Sequence, residues 1–367
     1  MIRNRSAGIL VYWLLCLVAL QIPITTRATE NQLVVWGDPT NQPPGSPSLV
    51  AISAGRGYSL GIAGDGSLVD WGGDPGTPPA GLSNVVAVVA SYAHSLALKR
   101  NGTVAVWGDP GRGWSWGDIP DGLTNVVAVS ANGDDDGEQS LVLKADGTVL
   151  AWGNVSSVPT DLTNVTAIAA GGWHDLALQQ DGTVVAWGDD TYGQGDIPAG
   201  LSNVVAIAAG DWHSVALTSD GRVYAWGIDA YGEVSEADGL SNIVAIAAGP
   251  YRTLALRNDG TVFACGSIAA PPDSLTNVVA ISAGWGQNLA LTIPLQITSL
   301  MVTNQNPLLH FHTFSGQKYS VEYSPDLSPG SWLPVPGSGV SGNGQDAWVT
   351  DTNALASAAT RFYRLKQ

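Results

Sequence analysis

Residues 203–208 read Asn-Val-Val-Ala-Ile-Ala, and both alternating sets are apolar: Val204, Ala206 and Ala208 on one side, Val205 and Ile207 on the other. A strand with one wet face alternates apolar and polar residues, so this one reads as buried on both faces, between two neighbours. Alanine among larger residues suits sheets that approach closely, as on the narrow inner side of a ring. A second strand is expected at 215–217 and a third at 222–226. The pair Asp220-Gly221 between them signals a type I′ hairpin, whose two central residues take positive φ. Connectors such as Ile197-Pro-Ala-Gly-Leu-Ser-Asn203 exclude regular structure.

This unit is written seven times. Its first half starts near Leu49, Asn84, Asn125, Asn164, Asn203, Asn242 and Asn277; its last half ends at Trp36, Trp71, Trp107, Trp152, Trp187, Trp226 and Cys265, each followed by glycine. The hairpin signal recurs at Asp65-Gly66, Asn101-Gly102, Asp146-Gly147, Asp181-Gly182 and Asp259-Gly260. The copies are out of phase with the chain. Residues 32–37 finish a unit whose first half does not precede them, and residues 277–294 start a unit that no Trp-Gly completes. A ring accounts for the split, because the leftover N-terminal strand can complete the last blade. The expectation is an all-β chain: a seven-bladed β-propeller over 29–294, closed by an N-terminal strand, then a small antiparallel β-sandwich over 295–367.

Charge and cysteine usage narrow compartment and partner. Arg3 and Arg5 precede an apolar run at 9–22 and the polar Thr25-Thr-Arg-Ala28, which reads as a secretory signal over 1–28. The run is short of the roughly 20 residues of a membrane span. Cys16 follows bulky Leu14 and Leu15 inside that run, so lipidation is not assigned. Without the signal, Cys265 is the sole cysteine and no intrachain disulfide can form. Residues 29–294 carry 27 acidic and 8 basic side chains, a net −19, whereas 295–367 carry 4 of each. A domain this acidic repels phosphate backbones and anionic lipid, leaving basic proteins or neutral ligands as partners.

The segment Trp212-His-Ser-Val-Ala-Leu217, followed by Asp220-Gly-Arg-Val-Tyr-Ala-Trp-Gly227, resembles the repeat of the regulator of chromosome condensation family. Thr191-Tyr-Gly-Gln-Gly195 resembles the loop that follows Trp-Gly in that family. The resemblance covers about residues 32–294 and rests on recurrence of the whole unit. Within that superfamily, a secreted bacterial propeller that caps β-lactamases is the nearer functional analogue, since this chain also reads as exported. The nuclear exchange factor's action on a small GTPase is not carried over.

Several motifs dissolve into the repeat. Gly57-Tyr-Ser-Leu-Gly61 fits the G-x-S-x-G of serine hydrolases, but Ser59 fills the slot of Ser95, Ser140 and Ser214 on a strand, with no helix to form an elbow. Gly337-Ser-Gly-Val-Ser-Gly342 fits a dinucleotide fingerprint without the helix that would follow it. His94, His174 and His213 share one slot with Tyr58, Gln139, Arg252 and Gln287; a metal ring would not admit arginine and tyrosine, so the slot reads as hydrogen-bonding. His310 and His312 point to one face of a strand but lack a third ligand. The acidic loop at 133–138 lacks calcium-loop spacing and reads as an exposed insertion. Asn101, Asn154 and Asn164 head N-x-S/T triplets. No catalytic residue, cofactor or metal is assigned.

The tryptophans divide. Those before glycine read as packing between blades. Trp114, Trp116, Trp173, Trp212 and Trp285 fall in loops, beside Tyr58, Tyr92, Tyr251 and Arg252, and aromatics with arginine are the composition of binding hot spots. These loops join the first and second strands, differ most between repeats, and in a ring emerge on one rim. The expected binding set is Tyr58, Tyr92, His94, Trp173, His174, Trp212, His213, Tyr251, Arg252 and Trp285.

In the tail, Tyr319-Ser-Val-Glu-Tyr-Ser-Pro-Asp-Leu327, then Trp332 and Phe362-Tyr-Arg364, resembles C-terminal modules of secreted bacterial proteins. The functional expectation is a secreted (extracellular or periplasmic), monomeric, non-catalytic propeller, with no membrane span after signal removal. It would cap a protein, a secreted enzyme among the candidates. A glycan-binding propeller is the first alternative, and an enzyme using the axial channel the second.

Overall fold

The computed structural model describes residues 31–38, 42–43, 45, 48–73, 76–108, 120, 122–134, 137–153, 157–267, 269–297, 299–303, 306–324, 332–352 and 362–367. The expected signal at 1–28, Trp114, Trp116 and Asn154 lie outside them. Inner strands run at Leu49–Ala54, Val85–Ala90, Val126–Asp134, Val165–Ala170, Val204–Ala209, Ile243–Gly249 and Val278–Ala283. Each pairs antiparallel with a middle strand, and the middle strand with an outer one, giving seven three-stranded sheets. Each inner strand packs on the next and the seventh packs on the first, so the blades form a closed ring. The outer strand of the seventh blade is N-terminal: Gln32 pairs with Thr292 and Gly37 with Gln287.

Two-sided apolar strands are satisfied by seven small cores, one at every joint. The Trp-Gly side chain of each blade faces the blade before it. Trp107 packs with Tyr58 and Leu60, Trp152 with Leu96, Trp226 with Leu176 and Trp36 with Leu254. Trp71 completes the ring against Leu289 and Leu291 of the seventh blade. Cys265 takes the position between the fifth and sixth blades, beside Val215 and Leu217. Burial pushes its thiol up to about 12, so it stays protonated and inert.

The hairpins differ from the type I′ expectation. Only the glycines have positive φ, as at Gly66 (+81°) and Gly221 (+81°), while their Asp partners do not. Gly66 N–H donates to Ala63 O at 2.9 Å and Ala63 N–H to Ser67 O at 2.9 Å, the pattern of a type I turn closed by a left-handed glycine. The Asp carboxylate instead accepts the N–H two residues on, as from Ser67 to Asp65 at 2.9 Å. That bond fixes the turn without requiring aspartate to adopt a strained φ.

The left-handed residue that the sequence did not disclose is the repeat asparagine. Asn84, Asn125, Asn164, Asn203, Asn242 and Asn277 all have φ between 52° and 59°. The conformation lets the next N–H reach the hairpin glycine of the preceding blade, as Val85 to Gly66 O at 3.1 Å and Val126 to Gly102 O at 3.0 Å. Turn and asparagine therefore form a second joint at every one of these blade pairs except the third to fourth.

The tail builds two small antiparallel sheets around Leu309, Phe311, Tyr319, Val321, Val335 and Val349. It contributes no strand to a blade among the described residues. Ser315 N–H reaches Asn258 O at 3.2 Å, beside the hairpin of the sixth blade.

Removing residues 31–37 deletes a paired strand and Trp36 together. Thermal unfolding should show a far larger loss than removal of 362–367, the last tail strand; equal losses would refute closure by this strand. Asn203→Ala should cost about 1 kcal/mol, the penalty for a Cβ in the left-handed region, whereas Asn203→Gly should be near neutral. Chemical denaturation of both variants checks it, and equal costs would contradict the backbone assignment.

Candidate partner-binding rim

The variable slot at the start of each middle strand is a joint. Each of its residues reaches into the following blade. Tyr58 Oη donates to His94 O at 2.7 Å. His94 Nε2 lies 2.7 Å from Ser140 Oγ, His174 Nε2 2.8 Å from Ser214 Oγ and His213 Nε2 3.0 Å from Thr253 Oγ1. Gln139 donates to Gly171 O at 2.5 Å, and Arg252 Nη2 to Trp285 O at 2.7 Å. Gln287 closes the circle on Ser59 Oγ at 2.6 Å. Side chains of four kinds thus perform one task at seven joints, which is why the slot tolerates them all.

This placement narrows the expected binding set. Tyr58, His94, His174, His213 and Arg252 are buried, as is Tyr92, and the slot side chains are spent on neighbouring blades. The glycine three residues earlier makes room for them. A Cβ on Gly171 would stand 2.7 Å from the His174 ring, and one on Gly210 would stand 2.4 Å from the His213 ring.

Burial holds both imidazoles neutral, His174 at about 4 and His213 at about 3. The Arg252 guanidinium falls to about 10, through burial, and stays charged at neutral pH. Asp175 fills the acceptor slot of the fourth blade, where burial pushes its carboxyl well above the usual range.

The acidic insertion is partly internal rather than exposed. Glu138 is buried and accepts from Ser91 Oγ at 2.8 Å, Ala93 N at 2.5 Å and His94 Nδ1 at 2.5 Å. Ser140, His94 and Glu138 consequently line up as a serine–histidine–carboxylate chain. All three are at most 3% exposed, so no substrate carbonyl can reach Ser140, and the chain is a joint. The inward turn of Glu138 was hidden in sequence among its aspartate neighbours.

One residue before the slot, the chain reaches the rim. Trp173 and Trp212, from the fourth and fifth blades, stack at 5.8 Å with planes 20° apart. Tyr192, from the connector after the fourth blade, meets Trp212 edge-on at 5.3 Å. Tyr251 of the sixth blade meets Tyr231 of the preceding connector at 5.6 Å. Tyr192 and Tyr231 are 50% and 59% exposed, and neither was in the expected set. The signal for Tyr192 was the Thr191-Tyr-Gly-Gln-Gly195 connector, and Tyr231 holds the matching place in Ala230-Tyr-Gly-Glu233. The Gln194 backbone carbonyl takes the Trp226 indole N–H at 2.9 Å, and its side-chain oxygen accepts the Tyr192 N–H at 2.9 Å.

Across the axis a different cluster locks itself. The Arg56 guanidinium lies 4.1 Å from the Tyr92 ring centre and 5.4 Å from that of Trp285. Tyr92 and Trp285 meet at 5.3 Å, joining the first, second and seventh blades. The inner strands enclose an axial cavity of ≈160 Å³, whose polar side chains are Ser53, Ser91, Ser130, Asn132, Ser282 and Trp285.

Three-stranded blades in a closed ring, each outer-strand tryptophan or its cysteine stand-in packed on the blade before it, define a repeat β-propeller. The family model of the regulator of chromosome condensation (RCC1) repeat matches residues 85–113, 165–194, 204–233 and 243–267, the second, fourth, fifth and sixth blades. Those four blades therefore carry RCC1 repeats. Its structure is similar to that of Prp20p from Saccharomyces cerevisiae, with a TM-score of 0.58 and 18% identity over 72% of this chain and 92% of that one. Human WBSCR16 gives 0.54 and 16% over 71% and 98%. The ectodomain of the receptor kinase CR4 from Physcomitrella patens gives 0.53 and 20% over 69% and 75%. At these identities the likeness is one of fold. No curated protein sequence matches the chain.

A buried neutral imidazole sets a pH dependence. With its folded value near 4 against 6.5 unfolded, His174 leaves stability intact above pH 6.5 and removes it as pH falls toward 4. The loss approaches about 3 kcal/mol at 1.36 kcal/mol per unit. His174→Gln, the residue type at positions 139 and 287, should flatten that part of the acid slope. Denaturant titrations at pH 7 and pH 4.5 measure it, and an unchanged slope would contradict a neutral buried ring.

Proposed function

We propose that this chain is a non-catalytic binding propeller whose rim caps a basic protein partner. The observation that carries the reading is the aromatic strip of the fourth to sixth blades: Trp173, Trp212 and Tyr192, then Tyr251 and Tyr231. Aromatic side chains left at a surface present large area at small entropic cost, which is the composition of interface anchors. Residues 173–251, which hold the strip, carry 11 acidic side chains and a single basic one, Arg222. Asp189 beside the strip is held below the usual carboxylate range by the Thr191 N–H, so it stays ionised in mildly acidic media. Such a field steers a cationic surface and places arginine or lysine against the rings.

Prp20p, which shares the fold, has been described for its binding to Gsp1p and histones, and this supports a protein as the class of ligand. The chain acts, on this proposal, as an exported monomer whose signal is removed. No helix among the described residues is long and apolar enough to cross a membrane.

The chain lacking residues 1–28, used as bait in the secretome of its own source, should capture a basic protein. Trp173→Ala and Trp212→Ala should each weaken that complex by about 2 kcal/mol with melting temperature nearly unchanged. Rising salt should weaken it further. Sharp loss of stability with affinity per folded molecule intact would make these tryptophans structural. Saturable binding to a glycan array, lost in the same variants, would replace the protein partner with a sugar.

A further inference from the structure

We propose that the rim grips two arginine side chains of its partner, one in each of two notches that stand one blade apart. The inference rests on the reading of the rim as a protein-binding face and names what that face holds. The two notches are copies of one device. In the connector after the fourth blade, Asp190 Oδ1 accepts the Gly195 N–H at 2.8 Å, and Gln194 Oε1 accepts the Tyr192 N–H at 2.9 Å. In the connector after the fifth, Asp229 Oδ1 accepts the Val234 N–H at 3.0 Å, and Glu233 Oε2 accepts the Tyr231 N–H at 2.6 Å. Each tyrosine is thereby set edge-on to the rim aromatic of the next blade. Tyr192 meets Trp212 at 5.3 Å and 83°, and Tyr231 meets Tyr251 at 5.6 Å and 76°. The other connectors carry no tyrosine in sequence, so the device is built twice.

The same ring geometry holds an arginine elsewhere on this rim. Tyr92 and Trp285 meet edge-on at 5.3 Å and 75°, and the Arg56 guanidinium lies 4.1 Å and 5.4 Å from their centres. Three ring pairs thus share one arrangement, and in one of them the occupant is visible. No described arginine or lysine stands over Tyr192, Trp212 or Tyr231. The nearby cations of the chain are engaged or turned away. Arg222 follows the hairpin at the end of its blade opposite Trp212, and Arg252 is buried and donates to Trp285 O.

The chemistry of the notches selects arginine over lysine. A guanidinium is planar and weakly hydrated, so it can lie against a ring and offer its N–H edge to a carboxylate at once. An ammonium is a compact charge that holds its water more tightly. Each notch has a carboxylate two residues before its tyrosine, Asp190 in one and Asp229 in the other. Both act on the slot histidine of their own blade, Asp190 on His174 and Asp229 on His213, which places them at the rim. Adjacent blades also fix the two seats relative to each other. A partner with two arginines on one face therefore gains from the second without paying again for docking.

The test is isothermal titration of the untagged chain with hexa-arginine and hexalysine peptides at one fixed salt concentration. Hexa-arginine is expected to bind at least fivefold more tightly than hexalysine. Tyr192→Leu and Tyr231→Leu should each weaken hexa-arginine at least threefold, with little effect on hexalysine. Melting temperature should hold in both, because the two rings are 50% and 59% exposed. The doubly substituted chain should bind the two peptides equally. Asp190→Asn and Asp229→Asn, which keep the oxygen that caps each connector, should weaken both peptides. Equal affinity of the two peptides for the unaltered chain, or a preference for arginine that survives the double substitution, would overturn the notches. Peptide parity with a basic protein still captured would remove the notches and leave the proposed function standing. Arginine preference lost in the tyrosine variants, with no protein captured, would keep the notches and count against capping.

Discussion

A blade that is apolar on both faces cannot be stable alone, and in this protein every other feature is arranged around that constraint. Each joint buries one face of two sheets, so seven blades require seven joints, and the seventh joint exists only if the ring closes. The strand Gln32–Gly37 supplies the outer edge of the last blade and brings Trp36 into the sixth joint. Closure is thus not an extra stabilising contact. It decides whether the faces of the first and last blades meet each other or meet water. At about 25 cal/mol per Å² of apolar surface, either outcome moves the balance by more than any single hydrogen bond.

Apolar faces alone do not set the angle between blades, and polar links do that work. Three kinds recur: the slot side chain reaching the following blade, the asparagine-linked N–H reaching a hairpin glycine, and serines such as Ser53, Ser130 and Ser282 accepting from the next inner strand. The slot link is present at all seven joints. The serine link occurs where the slot reaches a neighbour through tyrosine or glutamine, at Tyr58, Gln139 and Gln287, and not beside His94, His174 or His213.

The ring was legible in sequence because it is made of periodic signals. Period-two apolar runs, Trp-Gly endings and the phase offset of the copies each express packing that repeats identically, and the structure follows them. What depends on distant partners was not legible. The hairpin type escaped because Asp-Gly serves two turn geometries, and the decisive φ of Asp220 depends on which one the strands accept. Glu138 looked like one more surface acid until the fold put three donors around it. The slot variation among Tyr58, His94, Gln139, His174, His213, Arg252 and Gln287 suggested functional freedom. It reflects several side chains that can span the same gap.

With the slot removed from the reckoning, the informative position is the one before it: Gly57, Ala93, Glu138, Trp173, Trp212, Tyr251 and Gly286. Packing does not dictate this position, because glycine, alanine and glutamate hold it in four blades without breaking the ring. The aromatic choice in three successive blades therefore needs another cause, and two connector tyrosines extend the same strip outward. The other side of the rim behaves differently. There Arg56 lies against Tyr92 and Trp285, so a cation and two rings of this chain already satisfy one another. A rim of one repeat type thus carries one side whose rings hold an arginine of the chain and one side whose rings stand among acids.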